Sequence, residues 1–97
     1  MKDGSKYDGH FRSNKKEGYG VYEWNNGGVY KGNFKDNERN DYGEMFWPNG
    51  DTYRGRWKNG KQHGKGEIFV HNEGLHTGIF RNNELVVLIN TQEELKE

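Results

Sequence analysis

At 97 residues the chain has room for one small domain, and a core of that size supplies little surplus stability on its own. Only 29% of residues are hydrophobic and mean hydropathy is −1.34, yet 14% are aromatic and 15 are glycine, which excludes both a thick globular core and an aromatic-poor disordered chain. Zero net charge excludes a whole-chain field for nucleic acid, and the lack of cysteine excludes disulfides and thiolate metal sites.

The opening residues MKDGSKYDGH have no apolar stretch of the kind a signal peptide needs. Asp3-Gly4-Ser5-Lys6 precedes Tyr7 as Asn49-Gly50-Asp51-Thr52 precedes Tyr53, so the chain opens on the tail of a repeat. Two readings stay open there: an array that starts at this point, or one with further repeats upstream. From Tyr7 a pattern recurs every 23 residues, the mark of a stacked array. Its columns are Tyr7, Tyr30, Tyr53 and His76; Gly9, Gly32, Gly55 and Gly78; then Phe11, Phe34, Trp57 and Phe80. Later columns are Gly20, Gly43 and Gly66; Tyr22, Met45 and Ile68; Trp24, Trp47 and Val70; Asn26, Asn49 and Asn72.

Ring and glycine at every second residue is a strand period, which puts Tyr7, Gly9 and Phe11 on one face and Asp8, His10 and Arg12 on the other. Glycine weakens a strand unless another group comes close, so a ring from the adjacent strand is expected over each one. Asn-Gly at 26–27 and 49–50 predicts tight turns, and Lys-Asn-Gly-Lys at 58–61 a longer loop. The fold class is therefore all-β: an elongated, twisted antiparallel meander with one hairpin per repeat. The repeats run over 7–29, 30–52 and 53–75, with a partial copy at 76–83, making an array over 1–83. A capping segment, 84–97, follows. Within it Leu85–Ile89 reads as a strand or the start of a helix, and Thr91 with Glu94 resembles a capping box. Either element is expected to cover the last open edge. The run LVVLI is too short to span a membrane.

Chemical motifs are absent. Gly-x-Gly in GYGVYEW and GKGEIFV lacks the third glycine and any strand-to-helix context for phosphate, and the repeat accounts for both strings. KGEIFV echoes an RNA-binding signature, but its sister strings YGVYEW and YGEMFW carry acids where RNA needs cations. His10, His63, His71 and His76 have no ligand spacing, and KDNERND at 35–41 reads as a solvated acidic loop without calcium-loop order. No nucleophile is paired with a base. Glu23, Glu44 and Glu67 fill strand positions suited to cross-strand pairing with Lys or Arg. Neither enzyme activity, cofactor, metal nor nucleic acid is expected.

These columns resemble the MORN (membrane occupation and recognition nexus) repeat: Tyr-x-Gly-x-Trp/Phe, a Lys-Asn-Gly loop, Gly-x-Gly, then an Asn-Gly turn. The third copy, YRGRWKNGKQHGKGEIFVHNEG, departs from it only where Glu73 replaces the first turn glycine and Val70 the tryptophan. In the second copy Asp41 stands where Gly18 and Gly64 do, so the loop there is expected to differ. The resemblance covers roughly residues 3–83. It implies a non-catalytic scaffold, as in proteins of ciliary radial spokes and axonemes, junctophilins at membrane contacts, and protist cytoskeletal assemblies. It also admits a regulatory domain of a larger enzyme, since similar repeats are fused to phosphatidylinositol phosphate kinases and a lysine methyltransferase.

The expected function is thus protein–protein interaction in a cytoplasmic, cytoskeletal or ciliary assembly. Tyr30, Phe34, Trp47, Tyr53 and Trp57 are the candidate partner anchors, and bare glycine lets a partner helix or strand approach the backbone. The competing account packs these rings against one another. The terminal edges could pair two copies of the chain. Residues 53–75 carry a net charge of +3 and residues 30–52 a net −2. Arg54, Arg56, Lys58, Lys61 and Lys65 are therefore candidate contacts for an acidic partner or anionic lipid, the alternative function being a phosphoinositide or membrane-contact module. The simpler account pairs them with the acids of 30–52.

Overall fold

A computed structural model gives the fold and describes residues 4–89. Every regular element in this range is a strand: β1 (Lys6–Arg12), β2 (Lys15–Glu23), β3 (Val29–Lys35), β4 (Glu38–Phe46), β5 (Thr52–Lys58), β6 (Lys61–Val70), β7 (Gly74–Arg81) and β8 (Glu84–Ile89). They form one open antiparallel sheet in chain order, with one hairpin per repeat, in a body of 49 × 26 × 19 Å. The segment left between strand and helix is strand over Glu84–Ile89, where Leu-Val-Val-Leu-Ile suits a pleated surface. It pairs with β7 and so covers the last edge of the repeat array, as expected, and it is the final strand of the sheet among the described residues. The Thr91–Glu94 capping box lies outside the described residues.

Register aligns the columns into rows. One ring-face row places Gly9, Gly20, Gly32, Gly43, Gly55, Gly66 and Gly78 side by side across seven strands. Tyr7, Tyr22, Tyr30, Met45, Tyr53, Ile68 and His76 form the row beside it. Each tyrosine of a first strand lies flat along the glycine row. A Cβ on Gly20 would meet the Tyr7 ring, one on Gly43 the Tyr30 ring and one on Gly66 the Tyr53 ring. The covering ring therefore comes from the neighbouring strand for these three. For Gly9, Gly32 and Gly55 the tyrosine two residues earlier on the same strand contributes, a correction to the expected arrangement. The tyrosine hydroxyls donate to the backbone three residues on: Tyr7 to His10 O, Tyr30 to Asn33 O and Tyr53 to Arg56 O, each at 2.8 Å.

The turns meet the sequence expectation at one margin and depart from it at the other: Trp24–Gly27 and Trp47–Gly50 are tight turns, with Gly27 N–H donating to Trp24 O and Gly50 N–H to Trp47 O at 3.1 Å, whereas the longer loop expected at 58–61 is absent. Strands β1–β2, β3–β4, β5–β6 and β7–β8 are joined by two residues each: Ser13-Asn14, Asp36-Asn37, Asn59-Gly60 and Asn82-Asn83. All eight have φ between 50° and 80°, the mirror-image turn that matches strand twist and favours Asn, Asp and Gly. Lys58–Lys61 is thus a tight hairpin, and most of KDNERND is turn and strand rather than loop. The wider connections are 24–28 and 47–51, where Gly27 and Gly50 share φ 97°. There the repeated spacing of Asn26 and Asn49 has a cause: each Oδ1 accepts from the backbone N–H two residues on, at 2.9 and 3.0 Å. In the third copy Glu73 is flanked by positive φ at Asn72 and Gly74, so the turn is rebuilt around the missing glycine.

A bulge interrupts each first-to-second-strand pairing, between Gly9 and Phe11, Gly32 and Phe34, Gly55 and Trp57. On the facing strands Gly18, Asp41 and Gly64 take φ of 75°, 65° and 92°. Asp41 therefore adopts the same left-handed backbone as its glycine equivalents, inside β4 and not in a differing loop; a short polar side chain tolerates that conformation.

Candidate functional site

The core is a ladder of rings on one face of the sheet. Tyr7 meets Phe11 and Phe34, Tyr30 meets Phe34 and Trp57, and Tyr53 meets Trp57 and Phe80, all edge-to-face at 4.9–5.4 Å. Each tyrosine bridges its own repeat and the next, so no copy buries its rings alone. Tyr30 and Tyr53 are 0% exposed, and Phe34 and Trp57 are buried beside them. Burial pushes the Tyr53 hydroxyl up to about 12 and also raises that of Tyr30, because the phenolate would lose water. Trp57 donates its indole N–H to Gly43 O at 3.1 Å.

This placement corrects the list of candidate anchors. Tyr30, Phe34, Tyr53 and Trp57 are buried against their cross-repeat neighbours, Trp57 keeping one edge on the groove beside Trp47. Trp47 is half-buried and stands over an open groove of about 700 Å³, lined also by Arg39, Asp51, Trp57, Gln62, Ile68 and Asn83. The floor is apolar and the ends are polar: Arg39 near the start of β4, Asp51 in the wide turn after it.

Arg39 and Gln62 were not legible as site residues. They belong to the 23-residue column Lys16, Arg39, Gln62 and Leu85, which the register sets opposite Phe11, Phe34, Trp57 and Phe80 on the ring face. The period of this column is present in the sequence, but Arg39 falls within KDNERND and Gln62 directly follows Lys-Asn-Gly-Lys, two stretches that look like loops. The Arg39 guanidinium stacks between Trp57, 4.6 Å from the ring centroid, and Trp24 at 5.7 Å. Its Nη2–H donates to Gly60 O at 2.8 Å, and burial lowers its pKa. It makes no ion pair among the described residues.

The basic candidates lie on the opposite face and along the tight-turn margin. Arg54 stands in a cross-strand row between Glu44 and Glu67, with Lys31 beyond Glu44, and approaches Glu44 at 3.9 Å. Arg56 is paired with Asp41. Two of the five thus pair with acids of 30–52, and Glu44 and Glu67 take the cross-strand role expected of them; Glu23 lies opposite Lys6. Lys58 and Lys61 face each other across β5–β6, and with Lys65 they make no ion pair among the described residues. No group of His, Asp and Glu there could hold a metal ion.

Comparison with protein-family models finds the MORN repeat three times in succession, at residues 7–29, 30–52 and 53–68, well over half of the chain. No curated protein matches the chain. The three matched segments coincide with the hairpins β1–β2, β3–β4 and β5–β6, and the last match ends just before Val70 and Glu73 depart from the pattern.

Proposed function

The chain belongs to the MORN-repeat family, and we propose that it is a non-catalytic scaffold that receives partner proteins on its ring face. The observation that carries this reading is the open groove beside Trp47, the one large ring of the five candidates left partly uncovered by the ladder. Apolar floor with polar ends is the composition of a binding cleft. The assembly we assign it to is cytoskeletal or ciliary, of radial-spoke type, in the cytoplasm. That assignment follows from the family alone. Tagged full-length chain purified from its source cells should bring down defined subunits, and Trp47→Ala should lose them while circular dichroism still shows the folded sheet, the lost packing of Trp47 lowering the melting temperature only in part. Subunits retained by Trp47→Ala would move the binding surface off the ring face.

Two further partners have a specific feature behind them. Lys58, Lys61 and Lys65, without ion pairs among the described residues, support contact with anionic lipid, though Arg54 and Arg56 are already balanced by acids. Flotation with vesicles containing phosphoinositide, at low and high salt, decides this: retention only with anionic lipid favours the membrane reading. The β8 edge, with Val86, Val87 and Leu88 exposed, supports pairing with a second copy. Sedimentation that stays monomeric at high concentration removes it.

A further inference from the structure

Two notches on the ring face are related by one repeat. The first, framed by Lys16, Trp24, Phe34 and Gly60, is closed by Arg39 and measures about 270 Å³. The second, framed by Arg39, Trp47, Trp57 and Asn83, has Gln62 in the place of Arg39 and measures about 700 Å³. One column residue thus sets the width. The Arg39 guanidinium reaches over both Trp24 and Trp57, and the shorter Gln62 leaves the space beside Trp47 open.

One buried polar atom of the wide notch has no partner among the described residues, and its one cation has no counter-ion there. Gln62 is 5% exposed, and its Oε1 accepts no hydrogen bond. Arg39 carries five N–H donors; Nη2 donates to Gly60 O and Nη1 faces Met45 Sδ at 3.9 Å, with no carboxylate paired among the described residues. Asp51, the acid of this notch, is held at the opposite end. Its Oδ1 accepts from the His71 N–H at 2.8 Å and its Oδ2 from Asn49 Nδ2 at 3.2 Å.

We infer that the wide notch takes a peptide segment of a partner protein in which an Asp or Glu carboxylate stands beside a bulky apolar side chain. The carboxylate accepts from Arg39, the apolar group fills the space between Trp47, Trp57 and Ile68, and an N–H of the segment donates to Gln62 Oε1. This rests on the ring face being the partner surface and adds the partner's chemistry. A half-desolvated guanidinium gains a charge-assisted bond, and a buried carbonyl left unpaired disfavours partners without the matching donor.

Phage-displayed dodecapeptides selected on the 97-residue chain, then synthesised with a fluorescent label and titrated, test this. Asp or Glu next to Trp, Phe, Leu or Met should be enriched. Arg39→Glu should weaken the acidic peptides about tenfold or more and select Lys or Arg instead. Arg39→Met, which keeps the stem over Trp57, should lose the acidic preference too, so a folding defect in one variant does not decide the result. Gln62→Arg copies the preceding repeat, closes the notch and should abolish binding with the melt unchanged. Peptides lost with Gln62→Arg but indifferent to Arg39 overturn the carboxylate assignment and leave the ring-face reading intact. Selection of nothing, or of peptides indifferent to both positions, overturns both. Tighter peptide binding by a chain ending at Ile89 would give the notch to residues 90–97 and overturn the partner assignment.

Discussion

The hairpins β3–β4 and β7–β8 hold the same place in the 23-residue pattern and end differently. In the first, Tyr30 is wholly buried over Gly32 and Gly43. In the second, His76 replaces the tyrosine and is half-buried, and Gly78 faces Leu88, which is 62% exposed. The cause is one residue of backbone. Where Gly18, Asp41 and Gly64 take positive φ, β8 offers Val87, whose branched Cβ disfavours that conformation. The bulge is shorter, and β8 reaches the glycine row one residue early. Each seated tyrosine is thus accompanied by paired glycines and a left-handed residue facing the bulge, and β7–β8 lacks the tyrosine, the second glycine and the left-handed residue together.

The largest way to break this comparison is to remove the seated ring. Tyr30→Ala should cost about 3–5 kcal/mol, because Phe34 and Trp57 lose their shared partner and a cavity opens between repeats. Chemical denaturation measures it, and His76→Ala should cost far less. Next, Gly43→Ala should cost about 1–3 kcal/mol, since the new Cβ falls inside the Tyr30 ring. If Tyr30→Ala rescues part of that loss in the double variant, the clash is the cause. A smaller change runs the other way. Asp41→Gly should stabilise by up to about 1 kcal/mol by relieving positive φ, less a small loss from the exposed pair with Arg56.

The last effect is nil at neutral pH. The Tyr53 hydroxyl has its folded pKa raised from 10.0 to about 12, and that of Tyr30 is raised as well, so the unfolded chain loses these protons first. The stability they contribute is complete below pH 10 and is lost as pH rises toward 12 and beyond. Thermal melts across this range, followed by tyrosinate absorbance, should show unfolding and ionisation together. Free ionisation of Tyr53 at its ordinary value in the folded protein would contradict its burial.

Fold and site were not equally legible. Alternation of Tyr7, Gly9 and Phe11 showed strands and their faces, since side-chain parity is local. Asn59-Gly60 looks like part of a longer loop because Asn-Gly serves both the two-residue turn and the wider one; only strand ends separate them. The loop-like look of KDNERND and of 58–61 likewise conceals the column that contains Arg39 and Gln62. The anchors were harder still, because Tyr30 and Trp47 are both periodic aromatics and nothing along the chain says which one a neighbour covers.

The sequence by itself determined the 23-residue period, the strands, the ring face and the family, because each follows from spacing within one copy. Tertiary structure alone decided that Tyr30 and Tyr53 are interior, that Trp47 is open, and that Gln62 leaves a wide notch where Arg39 fills a narrow one. Those outcomes depend on contacts between successive copies, which bring together residues about 23 or more positions apart.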